Sequence, residues 1–399
     1  MTKTSLYISY DGMLEPLGQS QVLAYLERLA SRRAVHLISF EKATDWRDAE
    51  TRRQVAARIA DAGIVWHPLR YHKRPSALAT AFDIAAGSAT AARIARTGDI
   101  GVIHARSYVA GLMALAAKRA SGAALLFDMR GFWPEERVDG GLWPEDGLLY
   151  RTAKRAEKAL LRSANHIVTL TEASVPLIET SLRAQHRAVR ITVIPTCADL
   201  DRFRVQRPLQ RKPFVLGHVG AVGTWYLLDE MMRSFGVLRR IVPDARFLIV
   251  NRGEHELIRA RAAANGISAD SIELTSAPHE AMPALIARMT AGLAIIKPAY
   301  SKIASAPTKL AEYLGCGIPC LGNEGVGDMA AILEGQQVGV ALTGFSEAEI
   351  ARGLERLVAL AADAGIQARC RTVAEQVFSV EAGVAAYDRI YDELAGVPR

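Results

Sequence analysis

Short apolar runs alternate with segments of helical period along the whole chain. The first run, SLYISY at 5–10, is followed by SQVLAYLERLASRR, in which Val22, Leu23, Leu26 and Leu29 recur at the 3.6-residue spacing of one helix face. AVHLISF, GIVWHPL, IGVIHA, ALLFDM, HIVTLT and ITVIP carry the rhythm to residue 195, with helical or loop stretches between several of them. That alternation predicts parallel sheets covered by helices.

The rhythm breaks near residue 200. The passage CADLDRFRVQRPLQRKP at 197–213 is polar, basic, proline-containing and without period, as a linker is. Beyond it FVLGHVG, ARFLIVN, SIELTS, AGLAIIKP, IPCLGN and GVAL restart the strand pattern. The expected architecture is therefore α/β, with two tandem Rossmann-like domains: residues 1–200, a linker at 201–213, and residues 214–377. Ligands of open α/β sheets bind beyond the carboxyl ends of the strands, so two such domains are expected to face a central cleft.

A chain of 399 residues, half of them apolar, can bury two cores, and a disordered protein is excluded. Apolar runs such as GLMALAA at 111–117 are broken by charge well before the roughly 20 residues of a bilayer span. The opening MTKTSLYISYDGM lacks the apolar stretch of a signal peptide, and an intracellular, cytoplasmic protein is expected. Cys197, Cys316, Cys320 and Cys370 are scattered and read as small buried residues, with no disulfide and no zinc. Charge is uneven: Lys and Arg exceed Asp and Glu by 27 to 20 in residues 1–200 and equal them at 22 in residues 201–399. Part of the excess recurs at helical spacing in YRTAKRAEKALLRSA, as Arg151, Lys154, Arg155, Lys158 and Arg162. This is either a solvated face or a patch for anionic lipid headgroups or an anionic substrate. No nucleic-acid motif accompanies it.

Four loops that follow strands carry the candidate chemistry. YDGMLEPLGQSQ at 10–21 contains Gly12 and Gly18, and the helix after it, near Gln19, can accept an anion or sugar hydroxyls; a plain capped turn is the competing reading. FDMRGFWPEERVDGG at 127–141 mixes Asp128, Arg130 and Trp133 with further charge, a composition suited to sugar stacking and anion pairing, or to a solvated loop. GHVGAVGTWY at 217–226 is glycine-rich, with Gly220, Gly223 and Thr224 in its turn, but it is not GxGxxG and gives no dinucleotide fingerprint. In ASAPTKLAEYLGCGIPCL at 304–321, Ser305 is placed as N-cap and Pro307 in the first turn. Free amides, Thr308 and Lys309 at the positive helix end fit a diphosphate, with Lys297 from the preceding strand end nearby. Glu312, on the same face as Thr308, can accept two hydrogen bonds from a vicinal diol such as that of ribose. An ordinary surface Lys–Glu pair is the bland alternative.

At these residues the chain resembles glycosyltransferase family 4, retaining enzymes of GT-B fold that use nucleotide-sugar donors. PTKLAEYLGCGIP resembles the family's glutamate-bearing helix followed by Gly-x-Pro. VIPTCADLDRF at 193–203 resembles its interdomain passage IPNGVD…F, with Thr196, Cys197 and Ala198 in place of Asn, Gly and Val. FSVEAGVAAYDRIYDEL resembles the closing segment, and the resemblance implies that a helix at about 378–396 packs back on the N-terminal domain. FDMRGFWPEE resembles a D-x-R-D-x-W-P loop, matching at Asp128 and Arg130 and departing at Gly131. Two further departures stand out: Ala304 occupies the place of the family's first motif glutamate, and the 217–226 loop lacks the usual arginine and lysine. The resemblance implies transfer of a sugar from a nucleotide diphosphate donor to a glycan or lipid-linked acceptor, by front-side displacement without a cofactor or metal. Asp128 and Arg130 are the catalytic candidates. The donor set is Glu312, Lys309, Thr308, Pro307, Ser305, Gly220, Gly223, Thr224 and Lys297, and Gly12, Gly18, Gln19 and Trp133 are assigned to the acceptor or an anion. A GT-B nucleotide-sugar epimerase and a non-catalytic nucleotide-sugar-binding protein are the alternatives.

Overall fold

The computed structural model describes residues 4–396. The chain divides into two compact units, residues 1–195 with 380–399, and residues 196–379. The first holds β1 (Thr4–Ser9), β2 (Val35–Glu41), β3 (Ile64–Arg70), β4 (Ile100–Arg106), β5 (Ala124–Asp128), β6 (His166–Thr169) and β7 (Arg190–Val193). They form one seven-stranded sheet in the order β3-β2-β1-β4-β5-β6-β7, and every pairing is parallel. The second unit holds β8 (Val215–Val219), β9 (Arg246–Val250), β10 (Ile272–Thr275), β11 (Ala291–Leu293), β12 (Cys320–Asn323) and β13 (Gly339–Leu342). Its sheet, also parallel, runs β10-β9-β8-β11-β12-β13. Both sheets thus have the Rossmann order, and each has its switch point beside its first strand, at β1/β4 and at β8/β11.

Burial explains the apolar runs. The central strands β1, β4, β5, β8, β11 and β12 are buried almost throughout, because helices cover both faces of a parallel sheet. β11 is shorter than the run AGLAIIKP suggests. Pairing stops at Leu293, and beyond it the Asn323 side chain takes over the role of a strand, accepting from Ile296 N at 2.8 Å and donating to Ile296 O at 2.9 Å.

Residues 201–213, expected as a linker, are built into the second unit. Leu200, Phe203 and Leu209 sit in its core cluster, and the Arg371 guanidinium reaches three carbonyls, Leu200 O at 2.9 Å, Phe203 O at 2.8 Å and Gly315 O at 3.2 Å. The closing helix, Val380–Ala395, belongs to the first unit. Tyr387 donates to Asp128 at 3.0 Å, Tyr391 Oη lies 2.7 Å from His104 Nδ1, and Asp388 and Asp392 pair with Arg32 and Arg33. All four cysteines are free and buried. Among the described residues no helix is long and apolar enough to cross a membrane.

The Arg371 clamp yields a stability prediction. Arg371→Ala strips charge-assisted hydrogen bonds from three carbonyls and should destabilise the second unit by about 3 kcal/mol. Urea unfolding followed by a probe in residues 196–379 measures it, and an unchanged midpoint would mean that the passage is held by its apolar residues alone.

Candidate functional site

In the second unit the site is built around one short helix at the switch point. Thr308–Gly315 forms because Leu310, Ala311, Tyr313 and Leu314 bury one face, and it stops in a Schellman turn at Gly317, φ +75°, with Ile318 N bonded to Tyr313 O and Gly317 N to Leu314 O. Tyr313 fastens the helix to the sheet: its hydroxyl accepts from Val219 N at 3.0 Å, and a Cβ on Gly292 would lie 2.4 Å from its ring. The cap differs from expectation. Pro307 occupies the N-cap position and no side chain caps the helix, because Ser305 ends the preceding 3₁₀ turn, Tyr300–Ala304, in extended conformation. Among the described residues no acceptor is bonded to the amides of Thr308 or Lys309, which leaves them for an anion.

Lys309 and Glu312 are not a surface pair, since they are only 7% and 9% exposed. The Lys309 ammonium lies 3.7 Å from the centroid of the Tyr226 ring and 3.4 Å from His218 Nε2. Burial pulls the Lys309 pKa down to about 7, and burial with the Lys309 charge drives His218 down to about 3, so the imidazole is neutral. Glu312 has no hydrogen bond to its carboxylate among the described residues, and burial pushes it up to about 7 against the opposing charges of Lys309 and Arg202. A carboxyl held at this cost, with its lone pairs unused, is ready for hydroxyl donors.

The glycine-rich turn after β8 lies against this helix. Gly220 has φ +108° and a Cβ there would stand 3.7 Å from Lys309 Nζ, so glycine is needed for the conformation and keeps the backbone close to the ammonium. Thr224 is left-handed at φ +49°, and Trp225 beyond it covers Lys302, whose Nζ lies 3.7 Å from its ring centroid. Gly223 packs on Glu254, which also accepts from Val222 N at 3.0 Å, so part of the turn's amide array is already used. Lys297 is exposed and meets the turn through its amide, bonded to Trp225 O at 2.8 Å. The structure therefore brings together Lys309, Glu312, Thr308, Gly220 and Thr224, and adds His218, Tyr226 and Lys302. Arg202, facing Glu280 at 3.5 Å, was not singled out in the sequence; its only signal was its place in the passage 193–203.

In the first unit, Asp128 closes β5 and is 1% exposed. Its carboxylate accepts from Tyr387 and lies 3.5 Å from His104 Nε2 and 4.0 Å from Arg130 Nη1. Burial alone would raise its pKa, but Arg130, His104 and Arg106 hold it below the usual carboxylate range. It is thus placed to orient Arg130 rather than to meet solvent. Arg130 is left-handed at φ +57° and, with Tyr7, His104, Arg106 and Tyr387, lines a small cavity at the carboxyl ends of β1, β4 and β5 that Tyr25 and Leu29 also border.

The other first-unit candidates are used by the fold. A Cβ on Gly18 would stand 2.0 Å from Gly12 O, so the two glycines serve close packing of the turn. The amides of Met13 and Leu14 are taken by the buried Glu41 carboxylate at 2.9 and 3.2 Å, and are not offered to an anion. Gln19 is half-buried in the π turn Gln19–Leu23. Trp133 is held against Trp143 and Tyr108, at ring-centroid distances of 5.1 and 5.9 Å.

Residues 18–197 match the family model described as a glycosyl transferase 4-like domain. The chain has the two-domain GT-B fold. Among solved structures it resembles sucrose-phosphate synthase from Thermosynechococcus elongatus, at 14% identity and TM-score 0.70 over 98% of this chain and 99% of that one. It also resembles Anabaena HepE in complex with UDP, at 15% identity and TM-score 0.68 over 98% and 100%. A glycosyltransferase from Rickettsia africae covers 100% of each chain at 12% identity and TM-score 0.71. HepE has also been crystallised with UDP-glucose. No curated protein matches the sequence.

The buried pair dictates the pH response of the protein without ligand. Because the folded pKa of Glu312 is raised to about 7, stability from this group is present below the ordinary glutamate pKa and is lost as pH rises to about 7. Lys309 acts oppositely: its pKa is lowered to about 7, so its contribution is full above the ordinary lysine pKa and is lost as pH falls through about 7. Glu312→Gln should abolish the loss that accompanies rising pH between about 4.5 and 7 and raise the melting temperature above pH 7. A thermal melt series from pH 4.5 to 9 reads this, and parallel curves for the two proteins would contradict it.

Proposed function

We propose that the chain is a retaining glycosyltransferase that moves a sugar from a nucleotide diphosphate sugar to a polysaccharide, oligosaccharide or lipid-linked acceptor. The observation that carries this reading is the conjunction, on one helix, of open amides, buried Lys309 and a buried Glu312 carboxylate without a partner. The amides, Thr308 and Lys309 hold the diphosphate, Gly220 lets the chain approach it, and Glu312 accepts from the ribose hydroxyls. Pro307 leaves the helix start without a competing side-chain cap, while Ser305, Gly223, Thr224 and Lys297 border the same place. The UDP and UDP-glucose complexes of HepE support a nucleotide-sugar donor.

In the reaction, the acceptor oxygen bonds to the anomeric carbon on the face that the diphosphate leaves, and the acceptor proton passes to a diphosphate oxygen. Configuration is retained. Lys309 and the helix dipole stabilise the charge that develops on the leaving group, an effect worth several kcal/mol where water is excluded. No metal is assigned a part. Arg130 is the first-unit group for the acceptor, with Asp128 as its positioning residue; Gln19 and Trp133 flank that end of the sheet, and Gly12 and Gly18 shape its first turn. The basic first unit suits an enzyme of the cytoplasm working at the inner membrane face.

Purified protein given radiolabelled nucleotide sugars should yield transferred sugar; an epimerised donor or bound donor alone would replace this reading. Glu312→Ala should weaken donor binding by about 1.5–3 kcal/mol, the worth of hydrogen bonds to a charged group. Calorimetric titration of the nucleotide measures that, and unchanged affinity would remove Glu312 from the ribose.

A further inference from the structure

The exposed large apolar side chains of the first unit are concentrated at one edge of its sheet. Leu17 follows β1, Trp46 follows β2, and Leu78 and Phe82 follow β3, at 51%, 38%, 71% and 60% exposure. Leu142, Leu148 and Leu149, at 64%, 76% and 48%, follow β5. In a parallel sheet each connecting helix starts where its strand ends, so these residues gather at the carboxyl edge; among the described residues Val65, within β3, is the remaining exposed large hydrophobic of this unit. Single exposed leucines are ordinary, but a set confined to one edge is not.

Cations without carboxylate partners accompany this rim. Helix Leu148–Ser163 presents Leu148, Arg151, Arg155, Lys158 and Arg162 at steps of three and four, a single stripe. Its buried residues, Ala153, Glu157, Leu160 and Leu161, lie on the other side, and Lys154 turns away to Glu135 and Glu157. All four stripe cations are exposed, and among the described residues none is ion-paired. Lys73 and Arg74, just before Leu78, are likewise exposed and unpaired among the described residues. Their loop is fixed in place, because buried Asp83 accepts from Tyr10 at 2.8 Å and His72 N at 3.0 Å and lies 2.6 Å from His72 Nδ1. Glu145 and Asp146 oppose the trend in the connection before the stripe.

We infer that this rim and stripe form a docking surface for an anionic lipid bilayer, with the leucines and Phe82 entering the headgroup boundary and Arg151, Arg155, Lys73 and Arg74 pairing with lipid phosphates. Charge complementarity selects the occupant: apolar residues alone would suit another protein, but a line of unpaired cations beside them suits a surface of negative charge. The inference deepens the transferase reading and rests on it only for its purpose, which is delivery of the enzyme to an acceptor held at the membrane.

The test is co-sedimentation of the full chain with vesicles of phosphatidylcholine alone and with phosphatidylglycerol added. Binding should need phosphatidylglycerol and weaken with salt. Arg151→Glu with Arg155→Glu should lower partitioning at least about tenfold, and Leu148→Asp with Leu149→Asp should do the same. Calorimetric binding of the nucleotide is measured on every variant and should be unchanged, which separates failure of this surface from failure of the donor site. Equal binding to neutral vesicles, no binding, or retention by both double variants would overturn the inference. So would a dimer in vesicle-free solution that Leu148→Asp splits, since that assigns the patch to a second copy.

Discussion

The second unit depends on burying two opposite charges in one helical turn without letting them satisfy each other. Glu312 is one turn from Lys309, yet the ammonium faces the Tyr226 ring and His218, and no hydrogen bond joins the two side chains among the described residues. Taking such groups from water costs several kcal/mol each in a protein interior. The rest of the neighbourhood is arranged to bear that cost. Tyr313 ties the helix to β8, Gly292 makes room for Tyr313, the Schellman turn ends the helix cleanly, and Arg371 clamps the passage at 200–203 onto the helix's last carbonyl. A packed apolar helix end would be more stable. What the charged one supplies is a set of unspent hydrogen-bonding capacities beside open amides.

The two sheets share one strand order, but they use their switch points differently. At β8/β11 the polar groups are left incomplete, and the turn and helix present amides and charge. At β1/β4 more of them are matched internally: Glu41 takes the amides of Met13 and Leu14, Arg106 lies 3.1 Å from Asp11, and Asp128 accepts from Tyr387 through one oxygen, leaving its Oδ1 and His104 Nε2 without a hydrogen bond among the described residues. Fold alone therefore does not place the chemistry; the state of satisfaction of the buried polar groups does.

The strands and their alternation with helices were legible because an uninterrupted run of buried residues is a local signal, and the helix that holds Lys309 and Glu312 was legible from its proline-to-glycine span. What escaped depends on residues far away in sequence. The end of β11 is set by the Asn323 amide, which no property of AGLAIIKP reveals. The burial of Asp128, a catalytic candidate from its loop, was not legible because its partner, Tyr387, comes from the far end of the chain. The passage at 201–213 looked like a linker since Phe203 and Leu209 follow no period; irregular coil can be buried when its carbonyls find a donor such as Arg371. Ser305 had the right residue type for a cap and the wrong backbone, being committed to the preceding 3₁₀ turn.

Backbone strain points to the same places independently of charge. Among the described residues five non-glycine residues have positive φ, and three of them, Ser107, Arg130 and Thr224, stand in the connections that follow the carboxyl ends of β4, β5 and β8. The other two, His186 and Gln337, follow helices, where a left-handed residue commonly ends the last turn. A left-handed conformation costs a non-glycine residue about 1–3 kcal/mol, and threonine, branched at Cβ, bears it poorly. At Arg130 the neighbouring Gly131 already has positive φ, +122°, and the turn strains Arg130 as well, whereas at Thr224 the adjacent Gly223 could have absorbed the kink and does not. The chain instead places side chains at the strained positions, one of them a guanidinium held by Asp128 and the other beside the turn that carries Trp225 over Lys302. Strain kept where glycine was adjacent is strain that aims a side chain, and here it aims them at the ends of the strands where an α/β sheet takes its ligands.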